Sequence, residues 1–375
     1  MPQRDVLLPW RRVLANACLG LQMQDESRRA ARAAAEAHPS TTVLAGGQEM
    51  SGPVPVTTEG EETGVPVIDI AGLTDPELRP SIVAAIGAAC ERVGFIVITG
   101  HGVPSELVDR MYEVNREFFE LPLEHKLRSA SARGNLYRGY GSVEAFGQES
   151  VVEGFENGRF DDAADVAAAG YGPEWSEDFE GNIWPAQPSA FRPVWREYYA
   201  VMEGLSARLM AAFAEALDLP ADWFDDKFDR HTSYLNANFY PAQPEPPEEG
   251  RMRRGAHTDI GSLTILYQDG IGGLQVFDRT GRWCDVPPVP GSYVINLGDM
   301  LAKWTNDRWV ATEHRVVNPP AETAHQPRMS IPYFQHPNFD ALIECIPSCT
   351  SENNPPRYRA VLAGDWSKYR MSLAV

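Results

Sequence analysis

Residues 253–277 read "RRGAHTDIGSLTILYQDGIGGLQVF", and two side chains able to do chemistry, His257 and Asp259, stand one residue apart in them. The run otherwise has the character of strand and turn. In an extended chain, residues i and i+2 point to the same face. An imidazole and a carboxylate would then project side by side from one strand end, as two ligands of one metal must. A third ligand is expected from a different strand, and His314 opens the later apolar run "HRVV". Two histidines and one carboxylate on one face leave three metal positions open. That set suits Fe(II), which must hold a co-substrate and oxygen together. Zinc hydrolases also mix histidine and carboxylate ligands, and hydrogen-bonded histidines at strand ends would give the same pattern without any metal. Beyond His314, Arg328-Met329-Ser330 puts a guanidinium and a hydroxyl on one strand face. The guanidinium is a two-pronged fork for a carboxylate. An ion pair with one of the 52 acidic residues is the alternative use of it.

These groups need rigid elements to hold them. After about residue 232 the chain becomes a series of short apolar runs, "SYLNANFYP", "LTILY", "LQVF", "WCDV", "SYVINL", "HRVVN" and "RMSIPYF", separated by Gly, Pro, Asp and Asn. Turn signals at that density predict a β sandwich or barrel. Pro332 removes a ladder donor from the last run, which predicts an edge position or a bulge there. Upstream, "VPVIDI" and "FIVI" read as strands. Asp75 followed by Pro76 predicts a helix start, with Ile82, Ile86, Cys90 and Val93 on one face and Gly94 as the stop. Ser105 is expected to cap a second helix with the stripe Leu107, Met111, Val114 and Phe118. Val194, Tyr198, Met202, Leu205, Leu209, Phe213 and Leu217 mark a long helix. Residues 156–190, acidic and irregular, read as a surface excursion or lid. The tail "PPRYRAVLAGDWSKYR" predicts a returning helix.

The chain has 375 residues and 43% apolar content, enough for one large β-rich enzyme domain with helical additions. A net charge of −19 argues against a nucleic-acid partner, since phosphate binding needs a positive surface. No run is long and apolar enough for a membrane span, and no secretion pattern is visible. The five cysteines lack zinc-type spacing and read as reduced thiols of a cytoplasmic protein. Residues 1–49 differ from the rest. An Ala- and Arg-rich stretch there could form an isolated helix, but its acidic residues speak against a transit peptide. Met50 follows Gly-Gly-Gln-Glu, whose codons can be purine-rich, so initiation at Met50 is an expectation that N-terminal sequencing would test.

The motifs HTD at 257–259, His314 and RMS at 328–330, in this order and at these distances, resemble the iron(II)/2-oxoglutarate-dependent oxygenases of the isopenicillin N synthase-like group. The likeness runs from about Val65 to Lys368 and takes in "VPVIDI", "ACERVGFIVITGHGVP", "EGFENG", "NFYP", "GGLQVF", "NLGDML", "WTNDRW" and "HRVVNPP". The resemblance implies an α+β, mainly β fold: a double-stranded β-helix, or jelly roll, flanked by N-terminal helices and a C-terminal helix. It implies that His257, Asp259 and His314 ligate iron. Arg328, Ser330 and Tyr240 would hold the distal carboxylate of 2-oxoglutarate, with Asn238 close to the co-substrate. Phe239 stands where tyrosine is frequent in the group. The implied reaction couples oxidative decarboxylation of 2-oxoglutarate to hydroxylation, or desaturation or ring closure, of a small organic substrate, using O2 and with ascorbate as a reductant. Tyr137, Tyr140, Phe155 and Phe334 are substrate-pocket candidates by their place beside the motifs. Arg253 and Arg254 could meet an acidic substrate, although a solvated basic turn would also account for them.

Five segments follow: an extension at 1–63, disordered or weakly docked; an N-terminal α/β region at 64–190; a long support helix and connection at 191–231; the jelly-roll catalytic core at 232–340; and a C-terminal segment with a helix at 341–375. Two rival readings stay open at this level. One is an iron oxidase of the same fold that does not use 2-oxoglutarate, and the other is a non-catalytic jelly-roll binding protein. A zinc hydrolase is a third option.

Overall fold

The computed structural model describes residues 64–132, 138–142, 151–175, 178–243, 245 and 251–373. The 1–49 stretch and Tyr137 lie outside the described residues. Two sheets dominate the unit formed by residues 54–364. The larger contains β1 (Val67–Asp69), β2 (Phe95–Thr99), β3 (Gly139–Gly141), β4 (Glu153–Gly158), β5 (Tyr234–Tyr240), β7 (Leu263–Gln268), β10 (Tyr293–Leu297) and β12 (Arg328–Gln335). Its order is β1-β2-β10-β7-β12-β5-β4-β3. Only the β1–β2 pair is parallel among these contacts. The smaller sheet, in the order β6-β11-β8-β9, contains β6 (Arg254–His257), β8 (Leu274–Phe277), β9 (Trp283–Asp285) and β11 (His314–Val316). A short pair, β13 (Leu342–Ile343) with β14 (Val361–Leu362), follows.

The alternation of side chains decides how the sheets meet. Phe95, Val97 and Val294 of the large sheet pack with Leu274 and Val276 of the small one in a single buried cluster. Each such side chain contributes roughly 1.5–3 kcal/mol by leaving water. The two sheets thereby form the jelly roll. On the opposite face of the large sheet lie three helices: α1 (Arg79–Arg92), α2 (Ser105–Phe119) and α3 (Phe191–Ala216). Helix α3 packs against α1, α2, β7 and β12 through the stripe expected from its spacing. Phe118, Phe155, Phe191 and Trp195 form an aromatic group with ring centroids 4.8–5.2 Å apart. A short helix, α4 (Asp299–Trp304), follows β10, and α5 (Ala363–Ser372) closes the described chain.

Several local expectations need correction. Helix α1 begins at Arg79, with Leu78 before it and proline in its first turn, whereas Asp75 closes a turn by accepting from the Glu77 N–H at 2.8 Å. Ser105 is the first helical residue of α2 and Pro104 precedes it, so no side chain caps that helix. The 156–190 stretch is not irregular throughout. It begins inside β4, between β3 and β5, and continues into a cluster of Phe160, Val166 and Tyr171 packed with Trp175, Phe179 and Phe339. Acidic composition hid this because the aromatic residues are spread over a long interval.

Pro332 sits in an interior strand, between β5 and β7, and not at an edge. No bulge occurs either, since pairing with β7 runs unbroken from Ser330 to Gln335. On the β5 side the paired positions jump from Ser330↔Asn238 to Tyr333↔Leu235 without a change of register. The missing imino hydrogen faces β5, and the sheet tolerates a two-residue gap in one ladder because the other ladder and the packing of α3 hold the strand.

Candidate metal centre

His257 ends β6 and His314 begins β11, and the two are direct cross-strand partners. Their rings stand 4.3 Å apart, centroid to centroid. Asp259 lies just beyond the strand end, in the turn into β7, instead of on the strand itself. Its Oδ1 is 3.8 Å from His257 Nε2 and 3.6 Å from His314 Nε2. One donor atom from each residue falls within 4.8 Å of the others. This is the convergence that the spacing HxD…H called for.

Each ligand candidate is oriented by a second contact. His257 Nδ1 bonds the Gly255 carbonyl at 2.9 Å, and His314 Nδ1 bonds the Thr312 carbonyl at 3.2 Å. A carbonyl only accepts, so Nδ1 carries the hydrogen in both rings and Nε2 is left to offer its lone pair. Asp259 Oδ2 accepts from Thr264 Oγ1 at 2.5 Å and from Asn296 Nδ2 at 2.6 Å. Those two donors come from β7 and β10, on the large sheet. They occupy one carboxylate oxygen and leave the other for the histidine side. Burial pushes the Asp259 carboxyl up, but the two imidazoles and the two donors outweigh it and hold the group below its ordinary value. The His257 imidazole is held well below its usual value, by desolvation first and then by the charges of His314 and Arg254. A carboxylate and a neutral imidazole are the protonation states that bind a metal.

The turn that carries Asp259 rests on helix α4. The N–H groups of Asp299 and Met300 donate to the carbonyls of Asp259 and Gly261 at 2.9 and 3.2 Å, and Gly298 N–H donates to Ser262 at 2.9 Å. Helix N-termini have unpaired donors, and here they pin the ligand turn. A side chain at Gly298 would run into the Gly261 carbonyl.

Arg328 opens β12 opposite Tyr240. It is 1% exposed, and its Nε donates to the Gly272 carbonyl at 2.8 Å. Neither Nη1 nor Nη2 has a hydrogen-bond partner among the described residues. A buried charged group left unpaired costs several kcal/mol, so this fork suits an anion supplied from outside the chain. Its guanidinium lies 5.0 Å from the Tyr240 ring centre. Ser330 is buried two residues along the same strand, opposite Asn238. Phe239 turns the other way and stacks on Phe119 at 5.1 Å, which explains why a hydroxyl is dispensable there.

Arg253 is not part of a solvated turn. It is 1% exposed, stands 5.9 Å from the Tyr240 ring centre, and donates from Nη2 to the Gln326 carbonyl at 3.1 Å. Burial and the Arg328 charge bring its pKa down to about 10. The nearby acid Asp269 uses its oxygens on the N–H groups of Met329 and Ile271, at 2.6 and 3.1 Å. Two buried cations beside one such acid strengthen the case for an anionic ligand. The donor set of the triad and the unpaired fork together fit Fe(II) and a dicarboxylate.

The pocket candidates separate by face. Phe334 faces the same side as Arg328 and Ser330 and lies 4.9 Å from the Tyr234 ring. Tyr140 and Phe155 are cross-strand partners on the opposite face, packed toward Phe118 and α3. Tyr140 also donates to Glu153 Oε2 at 2.7 Å. Sequence reasoning missed Thr264, Asn296 and the burial of Arg253. The available signals for the first two were polar residues inside the apolar runs "LTIL" and "YVINL".

Residues 231–337 match the 2OG-Fe(II) oxygenase superfamily, and residues 65–187 match the non-haem dioxygenase N-terminal region named for morphine synthesis. A 2-oxoglutarate-Fe(II) type oxidoreductase of Emericella nidulans, hxnY, is 33% identical over 311 residues, covering 81% of this chain and 88% of that protein. A homoarginine-6-hydroxylase of Oryza sativa subsp. japonica is 32% identical, over 80% of this chain and 94% of its own length. Among solved structures, a 2OG-Fe(II) oxygenase family protein from Caulobacter crescentus superposes with a TM-score of 0.74 at 31% identity, covering 83% of this chain and 99% of that one. A full-length Neurospora crassa protein, solved in complex with alpha-KG and 5-formyluracil, gives 0.72 at 28% identity, over 86% and 99%.

Proposed function

The chain belongs to the 2OG-Fe(II) oxygenase superfamily, and from that premise we propose that His257, Asp259 and His314 hold the iron while Arg328, Ser330, Tyr240 and Asn238 seat the co-substrate. The protein is a 2-oxoglutarate-dependent dioxygenase acting on a small substrate. Fe(II) with 2-oxoglutarate and O2 supplies the oxidation: the co-substrate is decarboxylated to succinate and CO2, and a substrate C–H bond is hydroxylated or otherwise oxidised. The chain's own residues do the rest. His257 and His314 present neutral Nε2 atoms. Asp259 offers Oδ1 with its other oxygen tied to Thr264 and Asn296. Arg328 grips the distal carboxylate with its two terminal nitrogens, and Arg253 adds positive potential behind Tyr240.

The observation that carries this assignment is the buried, unpaired guanidinium of Arg328 in the same jelly roll as a His-Asp-His convergence. Anaerobic titration with Fe(II) and then 2-oxoglutarate tests it through the absorption band of the ternary complex and through succinate release on admitting air. Loss of the band in His314→Ala is the expected result. A wild-type protein that takes up zinc but consumes neither O2 nor 2-oxoglutarate would overturn the site assignment. The finer expectations, a cytoplasmic setting and no nucleic-acid or membrane partner, rest on the reduced thiols and the charge of −19.

A further inference from the structure

The face of the large sheet that turns toward Asp259 can be followed strand by strand. Directly opposed residues share a face. Asn296 and Thr264, the two donors to Asp259, are partners; Thr264 opposes Phe334; Phe334 opposes Tyr234. Two residues along β5, Asn236 is on the same face, and its partner on β4 is Glu156. Past the end of β12, His336 lies two residues beyond Phe334, and its ring packs 5.1 Å from Tyr234. A Cβ built on Gly261, in the ligand turn, would sit 3.0 Å from His336 Nε2.

Three polar atoms on this wall are buried without a hydrogen-bond partner among the described residues: Glu156 Oε1, Asn236 Oδ1 and His336 Nε2. Glu156 is 5% exposed and His336 4%. Arg138 Nη1 stands 3.5 Å from Glu156 Oε1, an ion pair without hydrogen-bond geometry. Asn236 Nδ2 has a long contact to Asn238 Oδ1 at 3.5 Å, which leaves its carbonyl oxygen unused. A carboxyl oxygen and an amide oxygen thus stand side by side on the face of the large sheet that also carries Thr264 and Asn296. A protein interior leaves few such atoms unpaired unless a ligand completes them.

We infer that this wall recognises the substrate, and that the substrate carries a cationic nitrogen, an ammonium or guanidinium group, which Glu156 and Asn236 accept while His336 bounds the pocket next to the ligand turn. The inference rests on the oxygenase reading and deepens it. Charge favours this class over alcohols. A cation beside this buried acid turns it into a carboxylate and binds it through charge-assisted hydrogen bonds, which an alcohol cannot do, and the whole chain, with 52 acidic against 33 basic residues, concentrates cations.

The test uses the full chain with Fe(II) and 2-oxoglutarate under anaerobic conditions. Butylammonium and butylguanidinium are compared with butanol and butyrate by ligand-observed NMR. The cations should bind about tenfold tighter than butanol. Glu156→Gln should abolish that preference, and Asn236→Ala should weaken it severalfold, while both variants keep the Fe(II)–2-oxoglutarate absorption band. The band separates the two questions: its absence from the wild type defeats the oxygenase reading, whereas the substrate inference stands or falls on the ligand comparison. Equal or weaker binding of the cations, no binding of any probe, or an undiminished preference in Glu156→Gln each overturns it. Because Glu156→Gln replaces an acid that is costly to ionise in the interior with a neutral amide of the same shape, it should fold at least as well as the wild type, and its melting curve checks this.

Discussion

At the scale of single residues, the centre depends on groups that never touch a metal. Asn296 and Thr264 hold one oxygen of Asp259 and so fix which oxygen faces the histidines. Asn296→Leu should keep the fold but weaken Fe(II) affinity about 10–100-fold, the usual cost of losing such a partner, as measured by competition with a chelator. Arg328 works in the opposite sense in the proposed site, because its two terminal nitrogens have no hydrogen-bond partner among the described residues. Arg328→Met should therefore leave the melting temperature of the co-substrate-free protein unchanged or higher. It should also raise the Kd for 2-oxoglutarate at least tenfold, read by anaerobic titration. A lower melting temperature with unchanged Kd would show instead that the fork is a packing element. Arg328 was legible from its place two residues before Ser330, but nothing local could show Asp269 turned away onto backbone N–H groups.

At the scale of elements, the two histidines need only a pair of neighbouring strands, whereas Asp259 needs a turn held from below. Helix α4 does this with its first N–H groups, and Gly298 lets it approach the turn. Gly298→Ala should displace the turn, lower stability by about 1–3 kcal/mol and weaken metal binding more than Asn296→Leu does. Urea unfolding and the same chelator competition measure both effects. The strands were legible because each run in 232–340 alternates or is short and bounded by turn residues. Helix starts were less so: Asp75 and Ser105 are good capping residues by type, yet the chain bonds them differently because a turn and a proline already set the direction of entry. Pro332 shows the same limit. A lone strand cannot carry it in its interior, but a strand with a complete second ladder can.

At the scale of the whole molecule, the buried acid on β4 makes stability depend on pH. Burial raises the Glu156 carboxyl to about 8, with Arg138 opposing the shift. Its ordinary value is 4.5, so between these limits the folded chain keeps a proton that the unfolded chain has lost. The stabilisation is fully present below about pH 4.5 and disappears as pH rises through about 8. A cation arriving beside this acid favours its charged form and releases that proton. Relative to the ligand-free wild type, Glu156→Gln should gain a few degrees in melting temperature between pH 5 and pH 8, on the order of one to a few kcal/mol. A gap that shrinks with rising pH would contradict the burial argument.

The order and types of residues by themselves singled out two histidines, one carboxylate and an arginine fork on β segments, because strand periodicity and ligand chemistry are local properties, and the oxygenase reading came from the resemblance of these motifs to a known family. Tertiary structure alone decided the rest. It chose which face of each strand looks inward, and so set Glu156 and Asn236 on the face that carries Thr264 while sending Phe155 and Tyr140 into the aromatic layer under α3. It also buried Arg253 and brought Asn296 to Asp259. The reason is physical: partners on β4, β7 and β10 are far apart along the chain, and only the register between strands, set by packing of the whole jelly roll, says which of their side chains meet.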